Sequence, residues 1–104
     1  MVYDCVSIDD FKQIIAEGTT IVKFTAPWCT SCKFISLYYT TFEKRYSSIK
    51  YVQVNIEEIK DIRAIVDVFA VPSFYCFIDG KIVSYLVGAN SSKLEEFVKK
   101  YAFI

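Results

Sequence analysis

Phe24-Thr25-Ala26-Pro27-Trp28-Cys29-Thr30-Ser31-Cys32-Lys33 is the stretch on which the reading of this chain turns. The residues leading into it, 20–25, are rich in β-branched side chains and predict a strand. From Cys29 to about residue 46 the pattern turns helical and closes on Glu43-Lys44-Arg45. Two cysteines at a helix start stand about one turn apart, close enough to form a disulfide. Cys29 falls where unpaired N–H groups and the helix macrodipole favour a negative sulfur, so its thiolate is available near neutral pH. Cys32, a turn deeper, suits a resolving role in which it attacks a mixed disulfide and releases a reduced target. The same spacing is half of a zinc site, which needs further ligands to close. Only Cys5 and Cys76 remain as thiols, both in predicted strands, and the chain has no histidine.

Outward from this segment, strand and helix patterns alternate. Residues 3–6 form a short β-prone opening, and Ser7 predicts an N-cap for a helix with Asp9 and Asp10 in its first turn. Phe11, Ile14 and Ile15 form its apolar stripe, and Gly18 is expected to end it. Residues 51–56 alternate as a strand, and residues 57–69 predict a second amphipathic helix with Ile59, Ile62, Ile65, Val66 and Phe69 on one face. Residues 73–78 and 81–87 flank Asp79-Gly80, a tight-hairpin signal because such a turn needs positive φ. A loop at Gly88-Ala89-Asn90 precedes a last helix, for which Ser92 and Glu95 predict a capping box. The order β-α-β-α-β-α-β-β-α predicts an α/β fold: a central mixed sheet flanked by helices on both faces, one domain over residues 1–104.

Composition narrows the chemistry. Twelve basic and twelve acidic residues cancel, which excludes the electrostatic footprint of a general nucleic-acid binder. The absence of histidine removes Ser/His and Cys/His catalysis and His-containing metal sites. Three scattered glycines cannot form a phosphate-cradling loop. The longest apolar stretches are broken by Pro72, Asp79 or Lys81, so no membrane span is expected. Met1-Val2-Tyr3-Asp4-Cys5 reaches an acidic residue before an apolar run can form, and a cytoplasmic protein is expected.

These motifs together resemble the thioredoxin family over nearly the full length. The resemblance rests on Trp28 to Lys33 (WCxxCK), on Val71-Pro72-Ser73-Phe74 where the family has its cis-proline, on the Asp79-Gly80 hairpin, and on Val87-Gly88-Ala89-Asn90 before the last helix. It implies a thioredoxin fold, with Cys29 as nucleophile and Cys32 as resolving thiol. It further implies that Trp28, Val71, Pro72 and Gly88 shape a target-binding face, and that Lys33 adds positive potential near the thiolate. No bound cofactor or metal is expected; NADPH acts only indirectly, through a thioredoxin reductase. Disulfide-containing proteins are the implied substrates, and a monomer with no nucleic-acid or membrane partner is expected.

The chain departs from that pattern at three places. Thr30-Ser31 replaces the family's common Gly-Pro between the cysteines, freeing the loop and adding hydroxyl donors. Lys23 stands where thioredoxins usually carry a buried acid beneath the resolving cysteine. If buried, its pKa should fall by desolvation while a nearby thiolate pulls it back up; alternatively its head snorkels to solvent. Gln53, on the neighbouring strand, reads as the other half of a charge swap with Lys23. Ser36 replaces a helix-kinking proline, with little chemical effect expected. Cys5 and Cys76 are expected as small buried hydrophobes. Phe11, Phe24, Phe34, Phe42, Phe74 and Phe77 fit core positions, Tyr38, Tyr39 and Tyr46 a mixture of core and rim, and Asp61, Asp67, Glu95 and Glu96 solvated helix faces.

The leading function is thus a cytosolic dithiol–disulfide oxidoreductase that reduces protein disulfides through Cys29–Cys32. One alternative is a more oxidising, isomerase-like or glutathione-coupled protein, favoured by Lys23, Thr30 and Ser31. The other is a largely non-catalytic partner-binding module with the same fold.

Overall fold

The computed structural model describes residues 1–103. Its elements are β1 (Tyr3–Asp4), α1 (Ile8–Ile15), β2 (Thr19–Thr25), α2 (Thr30–Arg45), β3 (Lys50–Asn55), a 3-10 turn (Lys60–Ala64), β4 (Ser73–Ile78), β5 (Lys81–Val87) and α3 (Ser91–Ala102). The five strands form one mixed sheet in the order β1-β3-β2-β4-β5. β3 runs parallel to both β1 and β2, whereas β4 is antiparallel to β2 and to β5. This is the α/β architecture expected from the element order.

Strand alternation sorts the core into two layers. Val22 and Phe24 of β2, Val52 and Val54 of β3, and Tyr75 and Phe77 of β4 pack with Phe11 and Ile15 of α1. Ile21, Tyr51, Phe74 and Cys76 point the other way and pack with Ile35, Tyr39 and Phe42 of α2 and Leu94, Val98 and Tyr101 of α3. Within the first layer the aromatic rings meet edge-on, as Phe24 does with Tyr75 at 5.2 Å. Ser7 caps α1 as expected, its hydroxyl accepting from the Asp10 N–H at 3.1 Å. The hairpin turn has Asp79 and Gly80 both at positive φ, 49° and 83°.

Four expectations are corrected. The amphipathic helix over residues 57–69 is only the short 3-10 turn. Asn55 accepts the Glu57 N–H at 2.9 Å through its side chain and the Ile59 N–H at 3.0 Å through its carbonyl, curling the chain at once. Ile56, Ile59 and Ile62 then follow a threefold spacing into the core, and the run of β-branched residues disfavours a longer α-helix. Ile65 and Phe69 are left exposed. The cap of α3 is Asn90, whose side chain accepts the Lys93 N–H at 3.0 Å, and not Ser92. Glu95 is not half of a capping box; still partly solvated, it accepts from Arg45 Nη1 at 2.7 Å and Tyr46 OH at 2.6 Å, joining α3 to α2. Phe34 faces outward, 52% exposed. Lastly, α1 ends at Ala16 rather than on Gly18, which serves the turn into β2 at φ +74°.

Candidate active site

The carboxyl ends of β2 and β3 and the start of β4 lie together, because Thr25 pairs with Asn55 and Phe24 with Ser73. The chain leaving β2 turns through Ala26-Pro27-Trp28 and enters α2 with Cys29 as the N-cap residue. Cys29 Sγ therefore takes the role that an N-cap hydroxyl usually fills: it accepts the Cys32 N–H at 3.1 Å, with Ser31 Oγ 3.5 Å away. Cys29 and Cys32 are joined as a disulfide with Cα atoms 5.2 Å apart. Both residues are buried, Cys29 at 5% exposure and Cys32 at 1%. When the bond opens, the same N–H, hydroxyl and helix terminus remain to hold negative charge on Cys29 Sγ.

Trp28 stands 66% exposed beside this turn, and Thr30, Ser31 and Lys33 lie on the solvent side of the first turn of α2. At the same end of the sheet, the Val71-Pro72 bond is cis and Val71 takes no part in the strand ladder, which begins at Ser73. The Gly88 N–H donates to Pro72 O at 2.9 Å. Gly88 has φ +108°, a conformation that a side chain would oppose.

Lys23 is buried, 1% exposed, on the face of β2 that α2 covers. This overturns the snorkelling alternative. Its ammonium donates to Cys32 O at 3.0 Å, to Gln53 Oε1 at 3.2 Å and to Ser36 Oγ. Ser36 Oγ in turn donates to Cys32 O at 2.9 Å. Gln53 does partner Lys23, and its Nε2 donates to Asp4 Oδ1 at 2.9 Å. Burial pushes the Lys23 pKa down from 10.5 to about 8, against the pull of the Asp4 carboxylate. Asp4 carries no local signal in the sequence, because only strand register reveals it: Asp4 pairs with Gln53, and Gln53 with Lys23, in a row across β1, β3 and β2. Ser36 had a usable signal, its position one turn after Cys32.

Cys5 and Cys76 are free and buried, in the two different core layers on opposite faces of the sheet. Burial pushes their thiols up to about 12 and about 11, which leaves them protonated and unreactive at neutral pH. Their separation also prevents them from completing a zinc site with Cys29 and Cys32. Among the described residues there is no cluster of three or more His, Cys, Asp or Glu side chains placed to hold a metal.

The sequence model of the thioredoxin family matches residues 2–100. The chain belongs to the thioredoxin family. It is 34% identical to Thioredoxin-1 of Schizosaccharomyces pombe over 91 residues, covering 86% of this chain and 88% of that one. It is 35% identical to Thioredoxin H-type 2 of Nicotiana tabacum over 94 residues, covering 90% of this chain and 75% of that one. The solved thioredoxin of Plasmodium falciparum superposes with a TM-score of 0.93 at 31% identity, covering 96% of this chain and 99% of that one. The fold is the thioredoxin fold, and this family member is a dithiol–disulfide oxidoreductase built on the Cys29–Cys32 disulfide. Thioredoxins act without a bound prosthetic group, and the chemistry here belongs to the two sulfurs.

Proposed function

We propose that Cys29 is the nucleophile and Cys32 the resolving thiol in the reduction of protein disulfides. The observation that carries this reading is the place of Cys29 Sγ as the N-cap acceptor of α2. The Cys29 thiolate attacks one sulfur of the target disulfide, forming a mixed disulfide and expelling the other target sulfur as a thiolate. Cys32, deprotonated, then attacks Cys29 Sγ, closes the Cys29–Cys32 bond and expels the second target thiolate. Two electrons pass to the target. The exposed Trp28, the Val71-Pro72 segment and the low Gly88 loop form the face on which an extended target segment docks. Lys33 adds positive potential beside the nucleophile. The protein works as one domain and as a monomer, without nucleic acid or membrane. It resides in the cytosol, whose reducing poise keeps Cys5 and Cys76 free. A thioredoxin reductase supplied by NADPH returns the dithiol.

A Cys32→Ser variant tests the assignment. Cys29 should then accumulate mixed disulfides with target proteins that dithiothreitol releases. Capture of the same proteins under reducing conditions would make this a binding module instead.

The buried Lys23 ammonium against Cys32, with Ser31 Oγ beside Cys29, favours a second reading in which the couple is more oxidising and serves isomerisation or a glutathione system. Titration against a thiol buffer, followed by Trp28 fluorescence, separates the two. A general reductant lies near about −270 mV, and a value of about −180 to −200 mV selects the second reading.

A further inference from the structure

Phe69 and Tyr85 are aromatic residues that neither the core nor the disulfide chemistry uses, and they stand 64% and 55% exposed. Tyr85 sits opposite Tyr75, and Val87 opposite Ser73, so Tyr85 and Val87 share a face with Tyr75, a member of the layer that α1 covers. Among the described residues no side chain of β5 joins that layer, and Val87 is exposed beside Tyr85. The 3-10 turn ends at Ala64, so Phe69 projects from a loop.

The rings are held in place. The buried Tyr75 stacks on Tyr85 with centroids 5.3 Å apart and planes 19° from parallel, and Phe69 meets Tyr85 edge-on at 6.1 Å. The Tyr75 hydroxyl donates to Asp67 O at 2.7 Å, tying that ring to the chain two residues before Phe69. Val66 and Val68 are buried on either side of Asp67 and anchor the loop from which Phe69 projects. This aromatic shelf is continuous with the face given above to target docking. Val87 leads into Gly88, whose N–H donates to Pro72 O, and Phe69 precedes Val71 by two residues. Along the strand, Tyr85 lies about 7 Å from Val87.

We propose that Phe69, Tyr85 and Val87 form a subsite that selects disulfide targets carrying an aromatic or large aliphatic side chain two or three residues from the reactive cysteine. The proposal rests on the docking role given above to Val71, Pro72 and Gly88. Its occupant is the extended target segment itself: with its cysteine at Cys29 and its backbone along Val71, the segment passes the shelf within two or three residues. Phe69 and Val87 bring no polar group, and the Tyr85 hydroxyl is the one polar group among the three side chains, so apolar area is what recognises the occupant. Rings already fixed by stacking lose little conformational freedom when covered. A polar target residue at the same place would leave them wet and gain nothing.

Two homodimeric peptide disulfides test this, identical except for Phe or Ser at the positions two and three residues from the cysteine. Each oxidises the reduced protein in a stopped-flow cell below saturation, followed by Trp28 fluorescence, with rates taken relative to reduction of the same peptide by dithiothreitol. The Phe peptide should react about tenfold faster than the Ser peptide, the low end for an apolar contact in a binding site. Phe69→Ser and Tyr85→Ser should each bring that ratio down toward one, and Phe69→Tyr should keep it. A merely structural role would slow both peptides together, so a ratio that survives Phe69→Ser overturns the subsite, as does a ratio near one in the unaltered protein. Phe69 lies in an exposed loop, and its variant decides the matter even if Tyr85→Ser folds poorly. Sedimentation as a dimer that Phe69→Ser dissolves would assign the shelf to a second copy of the chain and overturn the proposal. Failure of both peptides and of 5,5′-dithiobis(2-nitrobenzoate) to oxidise the Cys29–Cys32 pair would overturn the oxidoreductase reading itself.

Discussion

Lys23 sets a cost of folding against a chemical use. Its ammonium is removed from water and repaid by three neutral oxygens, with the nearest carboxylate one side chain further out. Lys23→Met should therefore stabilise the oxidised protein at pH 7 by about 1–3 kcal/mol, the scale on which apolar replacements relieve buried charge. Cys32 O would not be orphaned, since Ser36 Oγ still donates to it. The pH dependence has a definite sign. Lys23 titrates near 8 in the folded chain and near 10.5 when unfolded, so between those values the unfolded chain binds more protons and the stability of the unaltered protein rises with pH. The advantage of Lys23→Met should be full below pH 8 and shrink as pH climbs to 10.5. Urea unfolding at pH 7 and pH 10 checks both statements. A variant more stable yet with a lower reduction potential would put function and stability in opposition at one residue.

Among the elements, α3 offers the clearest separation of sequence pattern from observed geometry. Ser92 and Glu95 have capping-box spacing, but the helix starts one residue after Asn90, and Asn90 provides the acceptor. Asn90→Ala should cost about 1 kcal/mol in chemical denaturation. Ser92→Ala should stay within about 0.5 kcal/mol, as expected of a surface change away from a cap. Glu95 is drawn elsewhere by Arg45 and Tyr46, partners some fifty positions away that no local window contains. The 57–69 segment departs from its pattern for a related reason. Apolar residues at threefold and fourfold spacing fit an α-helix and a 3-10 turn alike, and the deciding contact is the Asn55 side chain on the Glu57 N–H. By contrast, β4, β5 and the turn between them were legible to the residue, because Asp-Gly requires the positive φ that both residues adopt.

For the whole molecule, the order of the elements was enough to foresee a sheet covered on both faces, and Ile21 on one face with Val22 and Phe24 in the other layer agree with it. The cysteine pair and its place at a helix start were equally legible, since both depend on residues adjacent in sequence. What was not legible is the row Asp4, Gln53, Lys23, because it exists only once β3 has inserted between β1 and β2. The end of the sheet away from the disulfide shows the same dependence on distant pairing. There the Gly18 N–H donates to Asp79 Oδ1 at 2.8 Å while the Asp79 N–H donates to Gly18 O at 3.0 Å. Two solvent-facing turns, 61 positions apart in the chain, are thereby latched to each other. An engineer seeking a place to graft a peptide or open new termini would be drawn to the Asp79-Gly80 tip by its exposure. An insertion there would release the latch and loosen the entry to β2, the central strand that carries Lys23 and leads into Cys29.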